Sequence, residues 1–535
     1  MEINPAAVAR AAKNNPPSHI FRLPPELLSF IFNFLACAHA PRDFERWVRV
    51  THVCSYWRRV ALDYPNLWTR ISLHSPSWAL EMLARSKTAP ITVEAAEVVG
   101  DRQSPMNIAL LDILKCLPRI RELSLVQPES RSGSDSDVVD APFLEQVVAR
   151  LDAPAPLLES LKITYSHSNY AVPPILSCGS PRLRHLELSR TSIPWWPTIV
   201  GGLVSLRITA PPISLRIPIP VLTSILARMP NLEEAHLSWV IAPPRPGLVW
   251  GDEPDSLPCI SQLYLEDELA HCMAFFNNVT VPPTAVLQTL CIPHVADERP
   301  HISFSLEILI TCITQNHRHV YAMHVDATGF SVWSKSSPGE GSKWPTESDV
   351  PFISISDDPS ELPGHYVFMI CNVLPMGGLT SVCMEDVVAP EEEWIGLLGN
   401  LEALENLEIG RHEGGFLGAF SSGISCPELS FLGAMTPGRL KFRHLRRLTF
   451  RKWRPMDFRG QRHIDILKTC LRERCKRGRG LQRLILQDCP EVCADDVVDF
   501  SRAVMRVIWV AGGEDDESED DESEDDEEEM HDALN

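Results

Sequence analysis

Fifteen cysteines and eighteen histidines are the chain's richest source of nucleophiles and metal ligands, so their spacing is the first thing to test. A catalytic thiol needs an activating base, and a zinc finger needs closely paired ligands. None of the cysteines lies in a C-x-x-C, papain-like or caspase-like context. Cys37, His39, His52 and Cys54 offer four zinc ligands, but neither pair has finger spacing. Cys470, Cys475, Cys489 and Cys493 form a second quartet, which reads as small apolar residues of late repeats. The run G-E-G-S-K, Gly339 to Lys343, lacks the spacing and the preceding apolar strand of a phosphate loop and reads as a flexible loop. No catalytic set, metal or cofactor is expected, so the chemistry to look for is binding.

Charge is the second source of chemistry. The formal net charge is −21, with 70 acidic residues against 49 Lys and Arg. Fifteen of those acids lie between Glu514 and Asp532, which contains no Lys or Arg, so the rest of the chain is nearly balanced. Arg439 to Arg483 reverses the sign, with seventeen Lys and Arg against Asp457, Asp465 and Glu473. The basic stretch reads first as a solvated face of late repeats, and nucleic acid is an unlikely ligand because the neighbouring carboxylates compete for the same cations. A sharper expectation is that the acidic tail folds back on this surface, weakly and in a salt-sensitive way. Ser518 and Ser523 precede acidic residues and are candidate phosphorylation sites.

The elements that must carry such binding begin with L-P-P-E-L-L-S-F-I-F-N-F-L, Leu23 to Leu35. Pro24 and Pro25 suit a first helical turn, and Glu26 is favourable at the positive end of the helix dipole. At about 100° per residue the apolar side chains from Leu27 to Leu35 cover an arc of about 200°, whereas one-sided packing needs little more than about 100°. Part of that surface should await a partner. Phe44, Trp47, Val50 and Val53 recur at helical spacing, as do Trp57, Val60 and Ala61 after Ser55, which is expected to cap a third helix; Pro65 stops it.

These residues resemble an F-box, whose pattern opens Leu-Pro-x-Glu-Leu and closes Val-Cys-x-x-Trp-Arg before a leucine-tryptophan pair. Leu23, Pro24, Glu26, Leu27, Ile31, Leu35, Val53, Cys54, Trp57, Arg58, Val60, Leu67 and Trp68 match, with an insertion-like departure at Cys37 to Asp43. The resemblance implies docking onto the Skp-type adaptor of a cullin ubiquitin ligase, with Leu23, Pro24, Glu26, Leu27, Ile31, Leu35, Val53 and Trp57 as the adaptor-binding residues. Without that resemblance the same helices would read as a cap on the array that follows.

That array is a recurring leucine-x-x-leucine-x-leucine pattern ending at Leu125, Leu188, Ile208, Ile409 and Leu486. Weaker copies end at Ile163, Leu237, Leu265, Ile292, Met384 and Phe450, and a first strand is expected at Ile71 to Leu73. The spacing resembles leucine-rich repeats, although the asparagine signature is mostly absent. Strand side chains alternate, so the leucines form a core while Lys162, Glu187, Arg207, His236, Tyr264 and Glu408 share the free face and are the candidate target-binding residues. Inserts at Gln127–Pro142, Ser166–Pro181, Pro243–Pro258 and Ala327–Pro351 read as rim loops, the last two carrying Trp250, Trp333 and Trp344. The apolar Val497 to Gly513 reads as a soluble helix, and no run is apolar enough to span a membrane.

The expected fold class is α+β: a flexible 1–19, a three-helix F-box-like module at 20–71, an irregular α/β leucine-rich-repeat solenoid at 72–512 and a disordered acidic tail at 513–535. The N-terminus lacks a secretory pattern, so reduced cysteines, an unglycosylated Asn278 and a cytoplasmic or nuclear location are expected. The implied function is a noncatalytic substrate receptor that holds an unidentified protein target near a conjugating enzyme, rate arising from proximity. The alternatives are an interaction scaffold without ubiquitin transfer and an acidic-tailed chaperone for basic proteins.

Overall fold

A computed structural model describes residues 23–39, 43–96, 104–126, 147, 150–165, 180–191, 201–243, 254–282, 284–292, 319–326, 329–335, 353–356, 376–385, 387, 389–411, 415–424, 439–454, 457–458 and 461–510. Residues 1–19, Gly339–Lys343, Trp250, Trp344, the acidic tail with Ser518 and Ser523, and most of the four inserts lie outside them. The chain divides into two compact units, 1–318 with 349–357 and 319–348 with 358–535.

The first unit opens with helices α1 (Pro25–Cys37), α2 (Phe44–Val48) and α3 (Ser55–Asp63). Helix α1 starts on Pro25 with Glu26 in its first turn, as its sequence dictates. The cap of α3 differs from expectation: Cys54, not Ser55, is the N-cap, its Sγ accepting the Trp57 N–H at 3.4 Å, and Ser55 is the first helical residue. The module closes on aromatics. Phe32 packs on Trp57 with ring centroids 5.1 Å apart, and Trp47 meets Trp68 edge-on at 5.2 Å. The buried Trp68 indole donates to Ala61 O at 2.9 Å, and the Arg85 guanidinium lies 4.3 Å from the Trp68 ring.

Strand β1 (Arg70–Ser72) follows directly, and its Arg70 donates to Ala36 O and His39 O, both at 3.1 Å. Those carbonyls lie in and just beyond the last turn of α1, where helical partners run out, so one guanidinium ties the module to the sheet. The sheet continues through β2 (Ile91–Ala96), β3 (Ile120–Val126), β4 (Ser160–Thr164), β5 (His185–Ser189), β6 (Ser205–Thr209), β7 (Glu234–Ser238), β8 (Gln262–Glu268) and β9 (Val286–Ile292). Each pairs in parallel with the next. Helices α4 (Pro76–Arg85), α5 (Pro105–Leu114), α6 (Ile219–Ala227) and α7 (Leu269–Asn278) occupy the connections.

Pairs such as Leu123/Leu125, Leu161/Ile163, Leu186/Leu188, Leu206/Ile208 and Leu263/Leu265 are buried, and α5 and α6 add Leu110, Ile113, Leu222 and Ile225 to the core. Each such side chain contributes about 1.5–3 kcal/mol, and none is covered within its own repeat.

The second unit has an antiparallel pair, β10 (His319–Val325) with β11 (Gly329–Lys335), which corrects the loop expected over Ala327–Pro351: its first part, with Trp333, is a strand held by pairing with β10. The first unit gains β12 (Ile353–Ser356), which pairs with β9. From β10 the strands of the second unit run in parallel through β13 (Ser381–Met384), β14 (Asn406–Gly410), β15 (Arg447–Arg451), β16 (Arg483–Gln487) and β17 (Arg506–Val510). Helices α8 (Glu391–Leu397), α9 (Phe416–Ser421), α10 (His463–Lys476) and α11 (Ala494–Ser501) lie between strands. The expected helix over 497–513 is therefore corrected: α11 ends at Ser501 and 506–510 is a strand paired with β16.

Both units repeat one backbone device. The residue after β5, β6, β7, β14, β15 and β16 is Arg190, Ala210, Trp239, Arg411, Lys452 or Asp488, each with φ between 36° and 57°. Its N–H donates across to the next strand, for example Ala210 N to Ser238 O at 2.7 Å and Lys452 N to Gln487 O at 2.8 Å. A left-handed residue turns the chain off the sheet while keeping one more ladder bond. The result is a parallel-strand sheet consistent with a solenoid, built without the asparagine signature. Left-handed backbone costs a non-glycine residue about 1–2 kcal/mol. Ala210→Gly is therefore expected to raise the urea-unfolding midpoint, while Ala235→Gly in the middle of β7 should lower it.

Candidate functional site

The helical module presents one unpartnered apolar stripe. Leu27, Phe30, Ile31 and Phe34 of α1 are 54%, 67%, 49% and 74% exposed, and Val53 is 59% exposed. Leu28, Phe32 and Ala36, on the other side of the same helix, are buried. The wide arc thus splits into a core half and a free half. Among the proposed adaptor residues, Leu27 and Ile31 lie in the stripe, Pro24 and Glu26 are exposed in and beside the first turn, and Val53 is exposed ahead of α3. Leu23 and Leu35 are half-buried, the Leu23 carbonyl accepting from Tyr56 OH at 2.9 Å. Trp57 belongs to the module's packing through Phe32. Phe30 and Phe34 complete the stripe beyond the sequence-derived set: their helical angles place them beside Leu27 on the side away from Ile31, within the same apolar arc.

A second surface lies on the strands. Lys162, Glu187, Arg207, His236 and Tyr264 are register partners across β4 to β8, so the chain's repeats bring five of the six proposed target residues into one lateral row. Ser124 and Glu94 extend it at one end and Gln288 at the other. Lys162 Nζ and Glu187 neutralise each other at 2.9 Å. Arg207 is exposed and makes no ion pair among the described residues. The His236 and Tyr264 rings stack at 4.0 Å and 6°, and Tyr264 OH donates to Glu266 at 3.0 Å. Glu266 also accepts from Ser238 Oγ at 2.9 Å. A groove of about 390 Å³ runs over Glu94, Ser124, Lys162, Glu187 and Arg207.

Burial and then the Arg207 charge lower the His236 pKa to about 4, while burial and the Glu266 hydrogen bond push Tyr264 to about 12. The aromatic pair is thus neutral at physiological pH. The ring-proton titration of His236 by NMR is expected to have its midpoint near 4, and Arg207→Gln should move it upward toward the ordinary histidine value.

Glu408 lies in the second unit, on β14, against Arg451 at 2.5 Å. Arg451 also meets Glu385 at 3.1 Å. There His324, Cys383 and Glu385 bring potential ligand atoms within 4.8 Å of one another, a cluster with no signature in sequence spacing. Burial, then Glu408, drives the Cys383 thiol well above its ordinary pKa. The two earlier quartets hold other positions: Cys54 caps α3, His39 Nδ1 lies 2.8 Å from Leu35 O, and Cys470 and Cys489 are buried while Cys475 and Cys493 are exposed.

Residues 20–74 match the F-box-like family. The F-box-like segment therefore contains α1 to α3, β1 and the exposed stripe. No curated protein matches the chain. Among solved structures, one described as the crystal structure of a TLR13-ssRNA13 complex is 11% identical over 78% of this chain and 57% of that one, with a TM-score of 0.26. The F-box-like segment is typical of noncatalytic adaptor subunits and of binding to Skp-type adaptors. Among the described residues no helix is long and apolar enough to cross a membrane.

Proposed function

We propose that the chain is a noncatalytic substrate receptor of a Skp-cullin-F-box ubiquitin ligase. The observation that supports this most is the exposed Leu27, Phe30, Ile31 and Phe34 stripe, which lies on the F-box-like segment and has no covering element among the described residues. An apolar stripe on a small module is a binding surface, because water is a poor neighbour for two exposed phenylalanines. In this reading Leu23, Pro24, Glu26, Leu27, Ile31, Leu35, Val53 and Trp57 shape or touch the adaptor contact, joined by Phe30 and Phe34. The strands form a leucine-rich-repeat solenoid, and its row from Lys162 to Tyr264 holds a protein target. Glu408, on β14, is a candidate target contact of the second unit by itself. The complex works in the cytoplasm or nucleus, and the isopeptide bond is made by other subunits, with the receptor supplying proximity.

The row favours a protein of mixed polarity, because Lys162 and Glu187 already neutralise each other and the aromatic pair beside them is uncharged. The experiment is reconstitution: the chain purified with adaptor and cullin is supplied with activating enzyme, conjugating enzyme and ubiquitin. Ubiquitin chains on a co-purifying protein, lost when the stripe is mutated, are the expected result. Assembly with adaptor and cullin but no modified protein would make the chain a scaffold.

A further inference from the structure

The last three strands of the second unit place three arginines side by side. Arg447 of β15 is the register partner of Arg483 of β16, which is the partner of Arg506 of β17. Leu448 and Leu484 next to them are buried, so alternation puts the arginines on the opposite, core-free face. The same row continues through Asn406 and Ser381, which carry no charge and are joined by a 3.0 Å hydrogen bond. The row therefore ends in a block of three like charges within about 10 Å, an arrangement that is unfavourable without an anion.

The nearby carboxylates are committed elsewhere. Glu405 pairs with Arg446 at 3.4 Å, Glu385 and Glu408 with Arg451, and Asp499 with Lys468 and Arg502; Glu408 also feels the Arg447 charge, but among the described residues neither Arg483 nor Arg506 shares a carboxylate. Arg483 and Arg506 are exposed and make no ion pair among the described residues. Arg447 Nε is shielded from solvent and has no acceptor.

We propose that this arginine row is the docking site of the chain's own carboxylate run, 514–532. The run contains fifteen acids, and it starts four residues after Val510, the end of the strand that carries Arg506. From Arg506 to Val510 the strand advances about 13 Å, so about four extended residues are needed to return to the arginine level. Gly512 and Gly513 can take the turn conformations that such a reversal requires. A run of this length covers both the return and the width of the row. Tethering gives the tail a millimolar-range effective concentration, which a second copy's tail at ordinary protein concentrations does not match. A nucleic acid strand would meet the same carboxylates as repulsion. The docked tail covers the free face of β15 to β17, and an acid-rich target must displace it there.

The test uses the full-length chain carrying R483K and R506K, which keeps both charges and adds amines that a zero-length carbodiimide can join to carboxylates. The expected products are intramolecular cross-links from positions 483 and 506 to 514–532, exceeding those from the exposed Lys452 and Lys476, with a yield that falls about tenfold in about 0.5 M salt. Cross-links spread evenly over all four positions, or joining two chains, would overturn the proposal. A second readout needs no lysines: a fluorophore at the C-terminus should lose anisotropy when Arg483 and Arg506 are changed to Gln. Unchanged anisotropy would also overturn it.

Discussion

Replacing Phe30 and Phe34 together by aspartate is expected to abolish binding to a Skp-type adaptor while leaving the fold intact. Each phenylalanine that moves from water into an apolar contact gains about 1.5–3 kcal/mol, so losing both costs about 3–6 kcal/mol, or a factor of at least about 100 in affinity. The fold should not notice, because these side chains are on the free half of α1 while Leu28, Phe32 and Ala36 hold the core half. Leu28→Asp is the contrasting control: it buries a charge in the module and should cost folding first. Calorimetric titration of adaptor into the F30D/F34D chain, with its melting curve beside that of the wild type, checks both statements. Wild-type affinity in the double variant would remove the stripe from the interface.

The second large effect is on stability. Lys468 of α10 reaches across to α11, with Nζ 2.7 Å from Asp496 and 3.1 Å from Asp499. Lys468 and Asp496 are both buried. Burial alone would raise the Asp496 pKa, but hydrogen bonds from the Cys493 N–H and from Lys468 outweigh it and bring the carboxyl to about 2. Lys468→Met leaves that carboxylate buried without its cation, which is expected to cost about 3–5 kcal/mol. K468M/D496L, apolar on both sides, should recover most of it.

The pH dependence has a definite sign. A depressed carboxylate stabilises above its unfolded pKa and loses that contribution as pH falls through its folded value, so about 2 kcal/mol should disappear between about pH 4 and pH 2. Lys468 is shifted upward, its hydrogen bonds to Asp496 and Asp499 outweighing the opposing effect of burial, so its share persists through neutrality and is lost only at high pH. Urea unfolding across pH, with K468M as reference, measures the difference. A K468M penalty below about 1 kcal/mol would mean that the pair is solvated in practice.

These two features were unequally legible in the sequence. The stripe was visible in helical angles, because a wide apolar arc on a small module leaves surface uncovered. The Lys468–Asp496 pair joins helices separated by a strand, and spacing carries no sign of it. Strands with Leu-x-Leu alternation were readable, and so was the lateral row, since equivalent positions in parallel repeats fall into register. Ile91–Ala96 escaped because alanine and threonine blur its alternation. Arg506–Val510 has no decisive period in so short an apolar run, so helix and strand read alike in its sequence, and its strand state is fixed by pairing with β16. The α3 cap was misassigned by one residue because serine is the better general capper, yet here the thiol of Cys54 has the geometry.

If the F-box-like helices engage the adaptor while the strands remain free for a target, hydrogen exchange of the full-length chain with and without a Skp-type adaptor will separate the two surfaces. Exchange is expected to slow in 25–37 and 53–57, with 160–164, 185–189 and 205–209 unchanged. Protection of those strands, with none in 25–37, would contradict it.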